Sequence, residues 1–243
     1  MKLLQWNIWY KEDAKNILKA LRETDADIIC LQELTVNHPE YNKGVNVPEF
    51  LAKELGFNYV FAPAVEEGDQ KFGNGIFTRY PILSSEMHFI QNPPESGKEV
   101  VDYSEEGRIY VEATIQLNDG KIDIGTVHKS YVDRFAMTPA KEVETNKLLD
   151  ILKGKKENFI FTGDLNALPG SYPVNEISKI LKHCGPDLTE NTWTTKPFSY
   201  NGFEANTLDW RLDYCFATPD VQIKSSEIIE TEYSDHLPVL IEF

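Results

Sequence analysis

Phe159-Ile160-Phe161-Thr162-Gly163-Asp164-Leu165-Asn166 is an apolar run that breaks at a glycine and ends in an acid and an amide two residues apart. The run has the length and bulk of a buried strand. Alternate residues of an extended chain point the same way, so Asp164 and Asn166 face one common place at the strand's end. A carboxylate and a carboxamide there suit orienting water and holding a phosphate oxygen. Taken alone, Asp-Leu-Asn reads more readily as a turn, because both side chains bond nearby backbone. The rest of the chain decides.

Just upstream, a helix is expected to start near Thr138, with Pro139 in its first turn and Gly154 beyond its end. Its expected apolar face is Ala140, Val143, Leu148, Ile151 and Leu152. Downstream, a short helix is expected over residues 174–182, and 186–209 is polar and aromatic with little periodicity. Strands over 212–217, 221–229 and 237–243 close the chain.

At the other end, residues 2–9 read as a strand carrying Asn7. Ala14, Ile17, Leu18 and Leu21 make a helical stripe, and 27–33 is a second buried strand ending in Gln32 and Glu33. Strand, helix and strand in this order suggest a parallel crossover unit. A helix over 48–55 stops at Gly56, and strands follow over 57–62, 73–79 and 82–90. Residues 91–107 are rich in proline and acid and read as a loop that could cover a site. A hairpin over 108–117 and 121–128 turns at Asn118-Asp119-Gly120 and ends in His128.

The chain has 243 residues, 41% of them hydrophobic, which is ample for one large α/β domain spanning 1–243. A formal net charge of −15 excludes a general attraction to nucleic acid or anionic membranes, so any polyanion must meet a local patch or bound cations. Cys30, Cys184 and Cys215 are widely spaced and odd in number, which fits reduced thiols and a cytoplasmic location. No apolar run approaches the ~18 residues of a membrane-spanning helix, and the N-terminal stretch turns polar too soon for a signal peptide.

Five strand ends thus present polar groups: Asn7, Glu33, His128, Asp164 with Asn166, and Asp235 with His236. Asp213 is a sixth, a charge interrupting the apolar run Leu212-Asp213-Tyr214-Cys215-Phe216, with Arg211 as its alternative partner. An unpaired buried carboxylate costs of order several kcal/mol, and several together repel unless a divalent cation joins them. An oxygen-rich set without cysteine favours Mg²⁺, with Mn²⁺ second, over Zn²⁺.

The ordered set Trp6-Asn7-Ile8, Leu31-Gln32-Glu33, Thr126-Val127-His128, Gly163-Asp164-Leu165-Asn166, Arg211-Leu212-Asp213-Tyr214 and Ser234-Asp235-His236-Leu237-Pro238 resembles the endonuclease/exonuclease/phosphatase superfamily, of DNase I-like phosphoesterases. Each tripeptide is weak, but six in this order are specific. The resemblance implies a four-layer α/β/β/α sandwich, two mixed sheets face to face with helices outside, and Mg²⁺-dependent hydrolysis of phosphate esters. It implies that Glu33 is the main metal ligand with Asn7 beside it, and that Asp235 serves the metal or a second metal position. Asp164 would orient or deprotonate the attacking water, and Asn166 would hold a phosphate oxygen. His236, paired with Asp213, would contact the scissile phosphate, and His128 would donate to a phosphate oxygen or the leaving group. Asn74 stands where some relatives carry a glutamate supporting that histidine.

Arg108, Lys129 with Ser130, Asn74 and Trp210 are the candidate substrate contacts. Trp193, Phe198, Tyr200, Phe203 and Trp210 gather before Asp213, either to stack on a ring or to pack their loop. The expected substrate is nucleic acid first, with a small molecule, inositol phosphate or lipid headgroup as the alternative and an inactive binding module on the same fold as a third reading. The expected assembly is a monomer.

Overall fold

A computed structural model describes residues 1–94 and 102–243. Along the chain run β1 (Lys2–Asn7), α1 (Ala14–Thr24), β2 (Ile28–Val36), α2 (Val47–Leu55), β3 (Asn58–Glu67), β4 (Gln70–Thr78), β5 (Ile82–Gln91), β6 (Arg108–Leu117), β7 (Gly120–His128), α3 (Pro139–Leu152), β8 (Phe159–Asp164), α4 (Tyr172–Ser178), β9 (Lys182–His183), β10 (Phe198–Tyr200), β11 (Phe203–Ala205), β12 (Asp213–Ala217), β13 (Ser225–Ile228) and β14 (Val239–Glu242).

The strands make two six-stranded sheets, ordered β13-β14-β1-β2-β4-β3 and β5-β6-β7-β8-β12-β9. Each has one parallel pair, β1 with β2 and β7 with β8, among antiparallel neighbours. The apolar runs explain the layering, because a strand buried on both faces feeds two cores. Leu3, Ile28, Cys30, Ile124 and Ile160 point between the sheets. Their neighbours Leu4, Ile29 and Leu31 point outward against α1 and α2. Phe159 and Phe161 point outward with Leu148 and Leu152 of α3. The result is helices, sheet, sheet, helices, as the resemblance implied. Full burial of each such side chain is worth roughly 1.5–3 kcal/mol. Gly163 is required by the closeness of β7, since a Cβ there would lie 2.4 Å from the Val127 carbonyl oxygen.

Several local readings are corrected. The buried face of α3 is Lys141, Glu144, Thr145, Leu148, Leu149 and Leu152, while Val143 is 56% exposed and Ala140 is exposed. Its first two turns therefore bury polar groups, whose partners are described below. The helix expected over 174–182 is Tyr172–Ser178, and Lys182–His183 is a short strand on the edge of the second sheet. Glu33 does not end β2. It sits in a register shift between Leu31 and Leu34, with φ 61°. An irregularity of this kind re-aims a side chain next to a site. Residues 186–209 contain the β10–β11 hairpin, turned by Asn201 and Gly202, both at positive φ. Asn-Gly is the strongest short hairpin signal, and it was available in the sequence.

Part of the loop expected over 91–107, residues 95–101, lies outside the described residues. The rest is tied back: the Gln91 side-chain amide donates to the carbonyls of Ser104 (2.6 Å) and Glu106 (2.7 Å). Cys30, Cys184 and Cys215 are buried free thiols. No helix of the described residues is long and apolar enough to cross a membrane.

Candidate active site

The parallel strands β1, β7 and β8 end at the same edge of the sandwich, in Asn7, His128 and Asp164. The antiparallel β12 starts there with Asp213, which is directly paired with Asp164, and His128 flanks Asp164 on the other side. Asp235 and His236 lie in the loop entering β14. That loop is anchored by Ser234, whose hydroxyl donates to the Asn7 carbonyl (2.7 Å) and accepts from the His236 amide (3.1 Å). The Trp6 indole adds a bond to the His236 carbonyl at 2.9 Å. Ligand sites of α/β folds favour such carboxyl ends of strands.

Hydrogen bonds run through the site in sequence. The Asn7 amide donates to Glu33 Oε1 (3.1 Å) and to Asp164 Oδ2 (3.0 Å). Its oxygen accepts from the Trp9 amide (3.1 Å), so Asn7 clamps two acids together and lines the cleft beside Glu33. Glu33 Oε2 accepts from the Tyr10 amide at 3.0 Å. Asp164 Oδ1 accepts from the Asn166 amide at 2.8 Å, so Asp-Leu-Asn is a turn and a site at once. His236 Nδ1 lies 2.8 Å from Asp213 Oδ2, and its Nε2 lies 3.6 Å from Asp164. Arg211 is not the partner of the Asp213 carboxylate; its guanidinium donates to the Asp213 carbonyl at 2.6 Å.

The electrostatics split the two histidines. Burial opposes charge on His236, but Asp213, Asp164 and Asp235 outweigh it and raise the imidazole to about 10. His128 is pushed well below its ordinary value by burial, then by Arg108, His236 and Lys141. His128 is therefore neutral, and its Nε2 lies 3.1 Å from the Asn166 amide nitrogen. Burial raises Asp164 to about 6, against the pull of His236. Burial, and next the charge of Asp235, raise Glu33 to about 7.

Glu33 and Asp235 are the pair that fits a cation. Asp235 Oδ2 accepts from the Trp193 indole at 3.1 Å, but its buried Oδ1 has no hydrogen-bond partner among the described residues. Two mutually repelling carboxylates, one with an orphaned oxygen, suit a hard divalent ion. Asp164, Asp213 and His236 also converge. There the protonated imidazole supplies the positive charge, so that trio is an internal ion-pair set.

The groups meet in one cleft of about 520 Å³. Glu33, His128, Asp164, Asn166, Asp235 and His236 line it, as does Arg108, which is 4% exposed and bonded to the Tyr103 carbonyl and Glu106 (2.8 and 2.9 Å). Four expected substrate contacts are not there. Lys129 is fully buried against Thr145 and Glu144, and Ser130 is bonded to Glu144. Asn74 is buried, and its side-chain amide donates to the Ile109 carbonyl (2.8 Å). Trp210 packs behind the cleft wall against Trp193 and Phe203. The aromatic group thus divides: Trp193, Phe198 and Tyr200 face the cleft, and Trp210 and Phe203 support them. Trp9 and Tyr10, which also line the cleft, were missed. Their signal was their place two and three residues after Asn7, past the end of β1.

Residues 4–236 match the sequence model of the Endonuclease/Exonuclease/phosphatase family. No curated protein sequence matches the chain. Among solved structures, an endonuclease/exonuclease/phosphatase from Beutenbergia cavernae superposes with a TM-score of 0.76 at 19% identity, covering 99% of this chain and 70% of that one. The Bacteroides thetaiotaomicron mannosyl-6-phosphatase gives 0.70 at 17% identity, covering 100% and 98%. TDP2 of D. rerio, complexed with a single-strand DNA product, gives 0.68 at 17% identity, covering 99% and 97%. At these identities the structures speak for the fold, and the near-complete match to the family model makes this chain a member of the endonuclease/exonuclease/phosphatase family.

Proposed function

We propose that the protein is a Mg²⁺-dependent hydrolase of phosphate esters, with a phosphodiester of nucleic acid as first substrate. The observation that supports this is the line of groups from Glu33 through Asn7 and Asp164 to His236 and Asp213. It sets carboxylates for a cation at one end and a fixed imidazolium at the other, across a single cleft. Phosphoryl transfer asks for this combination of charge neutralisation and in-line positioning.

Glu33 and Asp235 would hold the divalent ion, with the Asn7 amide keeping Glu33 against Asp164. An ion held there would supply neutralisation of phosphate charge and a lowered pKa for water. Asp164, raised to about 6, is ionised at neutral pH and accepts a proton from the attacking water. His236 stays protonated because Asp213 holds it, and it donates to a phosphate oxygen as negative charge builds. The Asn166 side-chain amide donates to the neutral His128 at Nε2 and to the Lys129 carbonyl, so the two side chains line the cleft as a fixed, uncharged pair.

Aromatic walls, Trp9 and Tyr10 against Phe198 and Tyr200, suit a ring attached to the phosphate, a base first. The second reading, a small-molecule or headgroup ester, is favoured by the −15 charge and a cleft of small-molecule size. The test is a panel of single-stranded and plasmid DNA, RNA, inositol phosphates, sugar phosphates and a chromogenic diester, each with Mg²⁺ and with chelator. Cleavage of DNA or RNA supports the first reading, and turnover of small esters alone supports the second. Turnover that survives chelator, or is unchanged by D164N, refutes the hydrolase mechanism.

A further inference from the structure

The polar face of α3 is unused by the chemistry above, yet it lies directly beneath it. Lys141, Glu144 and Thr145 stand at i, i+3 and i+4, so all three point the same way. They are 1%, 1% and 0% exposed, and Lys129, which meets them, is 0% exposed. Burying two lysines against one carboxylate is costly unless the charges are used.

Their partners are the two segments that carry the site. Segment 128–130 and segment 164–166 are joined to each other first. The Lys129 amide donates to the Asp164 carbonyl (2.9 Å), and the Asn166 side-chain amide donates to the Lys129 carbonyl (3.0 Å). The helix then clamps both. Lys141 Nζ donates to the Ser130 carbonyl at 3.0 Å and also to the Asn166 carbonyl. Glu144 Oε1 accepts from the Ser130 amide at 2.9 Å, while Glu144 Oε2 pairs with Lys129 Nζ at 3.2 Å. Thr145 accepts from Lys129 at 2.7 Å and donates to the Lys141 carbonyl at 2.6 Å.

Asn166 is where the two segments meet. It sits at φ 44°, in the left-handed region that asparagine adopts more readily than other non-glycine residues. Its side chain reaches His128, so its placement sets two of the groups facing the phosphate.

We infer that Lys141 is a positioning residue, whose ammonium pins the Ser130 and Asn166 carbonyls together and thereby aims the Asn166 and His128 side chains into the cleft. Nothing in this role requires Lys141 to touch substrate. Its charge nonetheless reaches the site, being one of the influences that keep His128 neutral. Burial lowers Lys141 itself to about 7, while the nearby carboxylates of Glu144 and Asp164 support its ammonium form.

The inference rests on the hydrolase reading for its effect on rate, but not for its effect on the chain. K141M, K141R, N166A and the K141M/N166A double variant are compared by steady-state kinetics on the turned-over ester and by hydrogen exchange of 128–131 and 164–168. K141M is expected to lose protection in both segments at an unchanged unfolding midpoint elsewhere. Its kcat should fall about 10²-fold with little change in KM, the cost of a misplaced group. K141R should recover part of that loss, and K141M should add almost nothing to N166A, because both act on one element. Unchanged exchange in both segments, unchanged kcat, or losses that multiply in the double variant would each overturn the proposal. Should K141M not fold, K141Q carries the test: its shorter, uncharged amide cannot bridge the Ser130 and Asn166 carbonyls, so protection of 128–131 and 164–168 and kcat must fall together, and wild-type values there overturn the proposal. Absence of turnover by the wild-type protein on every ester defeats the hydrolase reading, and the exchange data still decide whether Lys141 holds the two segments.

Discussion

Replacing Asp213 by Asn isolates the charge that keeps His236 protonated. Asp213 is 0% exposed, its Oδ2 lies 2.8 Å from His236 Nδ1, and its Oδ1 is 3.4 Å from the Gln5 amide. The asparagine fits the same space and leaves the backbone alone. Raising the buried imidazole from 6.5 to about 10 corresponds to about 5 kcal/mol in favour of its charged form, at 1.36 kcal/mol per decade. Asp164 and Asp235 share in that figure, so Asp213 accounts for part of it. One opposite charge in contact shifts a pKa by about 1–3 units. Breaking a buried pair by removing one member costs about 3–5 kcal/mol.

The sign follows from linkage. His236 binds its proton more tightly folded than unfolded, so its contribution to stability is complete below 6.5 and lost as pH rises through 10. In D213N that contribution shrinks. The destabilisation of D213N relative to wild type should therefore be largest near pH 6 and fall by several kcal/mol as pH reaches 10.5. Lysines and tyrosines that titrate near 10 do so in both proteins and cancel in the difference. The assay is denaturant unfolding of both metal-free proteins at several pH values, with the His236 ring followed by nuclear magnetic resonance. A stability difference that does not change with pH, or a His236 titration unmoved by D213N, would refute the reasoning. In turnover, D213N should lose about 10²–10⁴-fold in kcat, the usual range for an acid–base group, and the alkaline limb of its pH profile, set by His236, should move to lower pH.

Substituting Glu33 with Gln should have opposite effects with and without metal. Glu33 is raised to about 7 from 4.5, so the metal-free protein loses stability as pH climbs through that window, and E33Q should be about 1–3 kcal/mol more stable at pH 8 by thermal or denaturant unfolding. The same variant should show no stabilisation by Mg²⁺, whereas wild type gains with log concentration; a Mg²⁺-stabilised E33Q would move the ion elsewhere. Mg²⁺ binding by calorimetry should weaken from pH 8 to pH 6 with proton release measurable in buffers of different ionisation enthalpy, because the ligand must be ionised. Trp9→Ala should raise KM for a ring-bearing ester by the equivalent of about 1–3 kcal/mol and leave kcat nearly unchanged, and equal losses in kcat would assign Trp9 a structural role.

How much of this was readable beforehand depended on which physical signal each residue carries. Phe159 to Asn166, and Asp213 within its apolar strand, announced themselves because a polar group at the end of a buried run is costly without a partner. Asp235-His236 and Glu33 were legible for the same reason, as a set more than singly. The errors fall where tertiary contact overrides the local pattern. Val143 belongs to the stripe of α3 by hydrophobicity, yet it is exposed. Lys141 and Glu144 are buried because backbone carbonyls and amides of the site lie beneath them, a partner no helical periodicity encodes. Lys129 follows His128 just past the end of β7, yet its ammonium is held by Glu144 and Thr145 of α3, so adjacency to a site residue did not place it in the cleft. The opposite holds for Trp9 and Tyr10. They follow Asn7 where the strand has ended and the Asn7 oxygen turns the chain through the Trp9 amide, so alternation no longer applies and both reach the cleft.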